Sequence, residues 1–283
     1  MRLGRFSSAG EEGWGVIESD DVLRVAPSGL TILNAFERGL DTAALGAWTM
    51  VELDESTLSA PIVDPPQFVG VGINYRDHVD ELGTKAPPSP VTFGLFGTAI
   101  VGPGDPIVIP DFSSTVDWEA ELAIVIGKGG SDIPQRQALD FIAGYTIVND
   151  VSARDIQMAE GQWGRAKSFD SFKPMGPWIV GTDELGDGSG LAIALSVNGV
   201  TKQKSSTSNL IFDVPYLVSH LSRQTTLRPG SVIATGTPGG IGMVRTPPEY
   251  LEDGDVVRIE IEGIGALINP VMSAATLAKP RSF

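Results

Sequence analysis

Asp117-Trp118-Glu119-Ala120-Glu121-Leu122-Ala123-Ile124-Val125-Ile126-Gly127 reads as a β-strand. Glu119, Glu121, Ala123 and Val125 fall on one face, and Trp118, Ala120, Leu122, Ile124 and Ile126 on the other. A strand apolar on both faces belongs in an interior, and a carboxylate carried into an interior needs a partner or a cation. A Glu-x-Glu pair is ordinarily two solvated glutamates; the apolar context argues against that here. Two aligned carboxylates suit a hard cation with oxygen ligands, Mg²⁺ or similar. A second apolar strand, Gly144-Tyr145-Thr146-Ile147-Val148, ends in Asn149-Asp150. Asp150 alone reads as the cap of a helix from Ser152 to Ala159; beside Glu119 and Glu121 it reads as a third ligand.

Asn74-Tyr75-Arg76-Asp77-His78-Val79-Asp80-Glu81-Leu82 follows an apolar strand, Phe68 to Ile73. In a helix, His78 and Glu81 lie three residues apart and can hydrogen-bond. The carboxylate then fixes the imidazole tautomer and raises its basicity, as a general base requires. A lone histidine near a helix end is otherwise structural or solvated. The other histidine, His220, sits on an amphipathic helix and reads as structural. Lys167 and Lys173 would by default be exposed. Thr235-Gly236-Thr237-Pro238-Gly239-Gly240-Ile241-Gly242 could bring backbone N–H groups and a hydroxyl to an anion, but it lacks the Gly-Lys-Ser/Thr ending of a phosphate loop. Gly70-Val71-Gly72 does not extend to a dinucleotide fingerprint.

The 283 residues carry 20 Lys and Arg against 35 Asp and Glu, a net charge of −15, and no cysteine. Zero cysteine excludes thiol nucleophiles, Cys-ligated zinc and disulfides. The acidic balance argues against nucleic acid and anionic membranes as partners. No stretch approaches the ~20 apolar residues of a membrane span, and the N-terminus has no apolar signal core, so the expected compartment is the cytoplasm. With 34 glycines and 20 prolines, many turns and short strands are expected. Gly104, Gly230 and Gly254 each centre a turn that feeds a strand-like run. Short helices are expected at Leu33–Leu40, Thr42–Trp48 and Pro134–Phe141, and Asp213 can cap one carrying Val214, Leu217, Val218 and Leu221. Pro61 to Gln67 reads as a linker, which places a small N-terminal domain at residues 1–62 and the main domain at 63–283. Strands with scattered helices and no βα alternation predict an α+β, mostly β fold.

In chain order the pieces are NYRDHVDELG, DWEAELAIVIGK, GYTIVNDVSARDIQ, WGRAKSF with PMGPWIV, TGTPGGIG and LEDGDVVRIEIEGIG. That series resembles the fumarylacetoacetate hydrolase family from about Phe68 to Val271, and the N-terminal segment is similar to the small variable domain of many members. The resemblance implies a mixed β-sandwich roll, usually a homodimer. It implies Glu119, Glu121 and Asp150 as ligands of Mg²⁺ (or Mn²⁺ or Ca²⁺). His78 and Glu81 match a water-activating dyad, on a mobile lid in several members. Lys167, Gln157 and Thr237 match positions that bind substrate or stabilise an oxyanion. One departure stands out: many members have lysine where Pro90-Val91-Thr92-Phe93-Gly94-Leu95 places Leu95, and Lys173 could supply a substitute charge. The expected activity is metal-dependent hydrolysis of a C–C bond in a 2,4-dioxo acid of the acylpyruvate or fumarylpyruvate type, through a metal-bound enolate. The alternatives are an oxaloacetate-type decarboxylase or a 2-hydroxyhepta-2,4-diene-1,7-dioate-type isomerase on the same fold, and a non-catalytic binding protein.

Overall fold

In the computed structural model, which describes residues 1–8, 11–19, 22–40, 46–223 and 225–277, the N-terminal segment opens with β1 (Arg2–Ser8), β2 (Glu11–Ser19) and β3 (Val22–Val25). The first expected helix is α1 (Ile32–Glu37), capped by the Thr31 side chain. The helix expected at Thr42–Trp48 falls largely on residues 41–45, outside the described residues, and 46–48 are irregular. Then come β4 (Thr49–Glu52), β5 (Leu58–Ser59) and the irregular stretch 61–67. The middle of the chain forms β6 (Phe68–Gly72), α2 (Arg76–Glu81), β7 (Val91–Gly94), β8 (Ile100–Val101), β9 (Ile107–Ile109), β10 (Val116–Asp117) and β11 (Ala120–Ile126). Next are β12 (Ile142–Asn149), β13 (Ser152–Ala153), α3 (Arg154–Glu160), α4 (Trp163–Ala166) and β14 (Lys173–Val180). The last part forms α5 (Thr182–Leu185), β15 (Ala192–Val197), β16 (Val200–Ser206), α6 (Val214–Leu221), β17 (Val232–Ala234), β18 (Val256–Ile261) and β19 (Gly265–Ser273).

The large sheet runs β4-β3-β2-β1-β14-β12-β11-β17-β6-β7, with β5 on β1 and β8 on β14; a five-stranded sheet runs β16-β15-β18-β19-β9. The fold is mostly β, as the turn density implied. The three glycine turns precede β9, β17 and β18, and Gly104, Gly230 and Gly254 take φ of 79°, 82° and 91° there. Asp213 caps α6 by accepting the Tyr216 N–H. The Pro134–Phe141 segment is a 3₁₀ turn over Gln135–Phe141 rather than an α-helix.

Every residue of β11 is buried. Its Ala120, Leu122, Ile124 and Ile126 pack with Ile193, Leu195, Ile259, Ile261 and Leu267 of the five-stranded sheet. Ala123 and Val125, on the other face, pack with Val148, Met175, Ile179 and Val232, and with Leu3, Trp14 and Phe36 from the N-terminal segment. That arrangement explains a strand without a polar face and commits Glu119 and Glu121 to the interior. No helix is long and apolar enough to cross a membrane among the described residues.

Candidate active site

Antiparallel register builds the acidic cluster. Glu121 pairs with Val148 and Ala120 with Asn149, so the next step sets Glu119 opposite Asp150, whose N–H donates to the Glu119 carbonyl at 2.8 Å. Residues two apart share a face, which puts all three carboxylates together. Their oxygens lie within 4.8 Å of one another. On the far side of β12, Val148 pairs with Met175, and the same count sets Lys173 opposite Asp150. On the far side of β11, Ala123 pairs with Ala234, which brings the Gly236 N–H to Glu121 Oε2 at 2.8 Å. The parallel strands β17 and β6 end at this same edge and deliver Thr237 and the α2 residues.

Lys167 Nζ donates to Glu119 Oε2 at 2.7 Å, Asp150 Oδ2 at 2.8 Å and Ser152 Oγ at 2.7 Å. It is not exposed but 2% accessible, and the two carboxylates raise its pKa although burial opposes this. Arg154 is a site residue that the sequence reading does not single out. Its Nη2 donates to Glu119 Oε1 at 2.6 Å and its Nε to Asp117 Oδ2 at 2.9 Å, while Asp117 also accepts the N–H groups of Gly242 and Met243. The available signal was an arginine in the first turn of a helix, where the helix dipole repels a cation unless an anion answers it. The expected helix start also moves. Ser152 and Ala153 pair with Asp117 and Val116, α3 begins at Arg154, and Asp150 caps nothing; its carboxylate faces the two lysines.

The carboxylates are unequally served. Burial would raise Glu119, but Lys167 and Arg154 overcome it and hold the carboxyl at about 2. Among the described residues Glu121 makes no ion pair; burial, then the charges of Asp150 and Glu119, push it well above the usual range against the weaker pull of Lys167. Lys173 Nζ lies 2.7 Å from Asp150 Oδ1 but aims its hydrogen bonds at the carbonyls of Val151 and Phe172. Asp150 Oδ1 is therefore buried with charge beside it and no donated hydrogen bond. A surplus carboxylate and an orphaned oxygen, both on hard oxygen donors, fit a divalent cation held by Glu119, Glu121 and Asp150.

His78 and Glu81 lie on α2 as expected, with Nδ1 2.7 Å from Glu81 Oε1. Glu81 Oε2 accepts the Gly240 N–H at 2.7 Å, Asp77 accepts from Ser205, and Asn74 bonds Phe212 and Thr235. The helix is thus tied down just before it, near its start and at its last residue. Ile73, just ahead of it, takes φ 55°, a strained value for a β-branched residue. A cavity of about 180 Å³ lies between α2 and the cluster. His78, Glu119, Glu121, Asp150, Gln157, Lys167 and Thr237 all line it, with Arg154; Glu81 is not in the lining and meets His78 at Nδ1. Its apolar wall includes Val71, Leu82, Phe93, Trp163 and Ile241. Leu95 packs in the core on the N-terminal side of the sheet. Lys173 does not replace a pocket lysine, because its ammonium is fully buried behind Asp150.

The chain is similar throughout to proteins that share this architecture. Residues 67–272 match the family described as fumarylacetoacetate (FAA) hydrolase C-terminal. The Xenopus laevis protein named oxaloacetate tautomerase fahd2, mitochondrial, is 47% identical over 76% of this chain and 68% of its own length. The structure of a fumarylacetoacetate hydrolase from Exiguobacterium antarcticum superposes with a TM-score of 0.87 at 38% identity, over 96% of this chain and 99% of that one. A 5-carboxymethyl-2-hydroxymuconate delta-isomerase from Mycobacterium smegmatis gives 0.79 at 40% identity, over 96% and 100%. With the match covering most of the chain and every strand that meets at the acidic cluster, this protein belongs to the fumarylacetoacetate hydrolase family.

Proposed function

We propose that the chain moves a proton at the carbon beside the ketone of a small 2-oxo dicarboxylic acid, interconverting enol and keto forms of an oxaloacetate-like substrate. The observation that carries this reading is the His78–Glu81 pair at the cavity wall. With Nδ1–H donated to Glu81, Nε2 is left as the nitrogen that accepts and returns a proton. Glu81 offsets the imidazolium charge and is itself steadied by Gly240. A divalent cation at Glu119, Glu121 and Asp150 would supply Lewis-acid polarisation of a bound 2-oxo acid. Lys167 and Arg154 add positive charge beside the carboxylates, and the apolar wall keeps bulk water from the reacting carbon. The modest cavity and the tautomerase name carried by a 47%-identical relative favour a short substrate.

The same dyad supports a second reading, hydrolysis of an acylpyruvate-type C–C bond, in which His78 takes its proton from water. Three assays separate the possibilities, each with Mg²⁺ and with EDTA. They are loss of the enol ultraviolet band of oxaloacetate, carbon dioxide release from oxaloacetate, and pyruvate release from an acylpyruvate panel. Fast, EDTA-sensitive enol decay without carbon dioxide supports tautomerisation. Pyruvate from an acylpyruvate at a higher kcat/KM replaces it with hydrolysis, and carbon dioxide release replaces it with decarboxylation. His78→Ala should lower tautomerisation by roughly 10²–10⁴-fold, the usual share of general acid–base catalysis.

A further inference from the structure

Gln203 is 1% accessible, and of the site residues assigned above its side chain hydrogen-bonds Thr237. Its Oε1 accepts the Ala120 N–H at 2.9 Å. Its Nε2 donates to the Pro238 carbonyl at 2.8 Å and to Thr237 Oγ1 at 2.8 Å. A backbone N–H can only donate and a carbonyl can only accept, so the amide has one possible orientation. Thr237 therefore receives a hydrogen bond from Gln203, and among the described residues no acceptor takes its own hydroxyl proton. That proton is left for the cavity Thr237 lines. The same logic acts at Gln157, which also lines the cavity. Arg154 Nη1 donates to Gln157 Oε1 at 2.9 Å; a guanidinium has no acceptor, so the Gln157 amide turns its NH₂ outward.

We infer that Gln203 and Arg154 are positioning residues that set Thr237 and Gln157 as paired hydrogen-bond donors, and that this selects a carboxylate, not an amide, at the substrate end they meet. The inference rests on the reading that the cavity takes a dicarboxylate and names the residues that make it choose one. A carboxylate accepts only and satisfies both donors. A carboxamide of the same shape offers its carbonyl oxygen to one of them but turns its NH₂ to the other, and a donor facing a donor leaves both unsatisfied.

The test uses a four-carbon pair that neither enolises nor cleaves: succinate and succinamate, titrated calorimetrically into the full chain with saturating Mg²⁺. The wild type should bind succinate about tenfold or more tightly than succinamate, the usual scale for a hydrogen bond to a charged group. Thr237→Ser should keep that ratio, and Thr237→Val should lower it several-fold. Gln203→Met should lower it equally, and the double variant Gln203→Met/Thr237→Val no further, because Gln203 acts through the hydroxyl. Should the methionine variant not fold, Gln203→Glu keeps the size and the Ala120 contact but offers Thr237 an acceptor, and must also lose the ratio. Equal binding of the two probes by the wild type, no binding of succinate, or an unchanged ratio in the Gln203 variants overturns the inference. Additive losses in the double variant overturn the route through Thr237. Enol decay is measured separately: its absence with the succinate preference intact removes the tautomerase reading and leaves the donor arrangement standing.

Discussion

Glu121 and Lys173 are the two residues whose surroundings make their own predictions. Glu121 is buried, accepts one backbone N–H, and is raised by burial and by its carboxylate neighbours. In the absence of metal the folded chain therefore favours its protonated form more than the unfolded chain does. The stability this contributes is complete below the ordinary glutamate range and is lost as pH climbs through the raised value. Bound metal reverses the slope, because the proton must leave before the oxygen can ligate. In EDTA the melting temperature should fall with rising pH, and Glu121→Gln should flatten that fall. Mg²⁺ at a hundredfold excess over Kd should add roughly 5 °C to the wild type at neutral pH, less at acid pH, and nothing to the variant. Equal slopes in both proteins would remove Glu121 from the site. Lys173 predicts a larger loss. Burial lowers its pKa to about 8 against the pull of Asp150, so near neutral pH the ammonium remains the neighbour of Asp150 Oδ1. Lys173→Met removes one of the two ammonium groups at Asp150 and leaves Lys167 without adding a void, so denaturant unfolding should show a loss of about 3 kcal/mol, the low end for breaking a buried ion pair.

At the scale of elements, α2 is the part whose position decides turnover without touching the acidic cluster. It has only six residues, too few to hold a helix in water unaided. Its place comes from Asn74, from Asp77 with Ser205, and from Glu81 with Gly240. Asn74→Ala removes three hydrogen bonds at once, about 1–3 kcal/mol where buried partners are left open. It should cut kcat by tenfold or more while the Mg²⁺-induced rise in melting temperature stays as in the wild type; loss of both together would mean that α2 and the cluster are one unit. The elements also show what the sequence could disclose. Glu119 and Glu121 were legible because strand period and apolar context are local, and His78 with Glu81 because helical spacing is local. The place of Asp150 needed the pairing of β11 with β12, which local context did not supply, so a helix cap competed with a ligand. Arg154 and Lys173 were opaque for the same reason, since the partner of a buried charge is set by register. The start of α3 shifted because two residues of the expected helix, Ser152 and Ala153, were claimed by pairing with β10.

For the whole molecule, the question is whether residues 1–62 form a unit of their own. The family match begins at residue 67, yet β1 hydrogen-bonds β14 through Arg2 with Val180 and Leu3 with Ile179, so one sheet crosses the proposed boundary. The N-terminal segment also covers the face of the sheet that carries Val125, Val148, Met175, Ile179 and Val232. Uncovering five such side chains at roughly 1.5–3 kcal/mol each costs as much as the 5–15 kcal/mol that usually separates folded from unfolded. Strand β14 begins with Lys173 at the acidic cluster and ends beside Leu3, so the segment buttresses the strand that holds Asp150 in place. We expect calorimetry of the full chain to show a single transition that Mg²⁺ moves as a whole, and a fragment of residues 63–283 to lack near-ultraviolet circular dichroism and any Mg²⁺-dependent melting shift. Two resolved transitions, with only the upper one responding to Mg²⁺, would establish an independent N-terminal domain and end the structural link between β1 and the site.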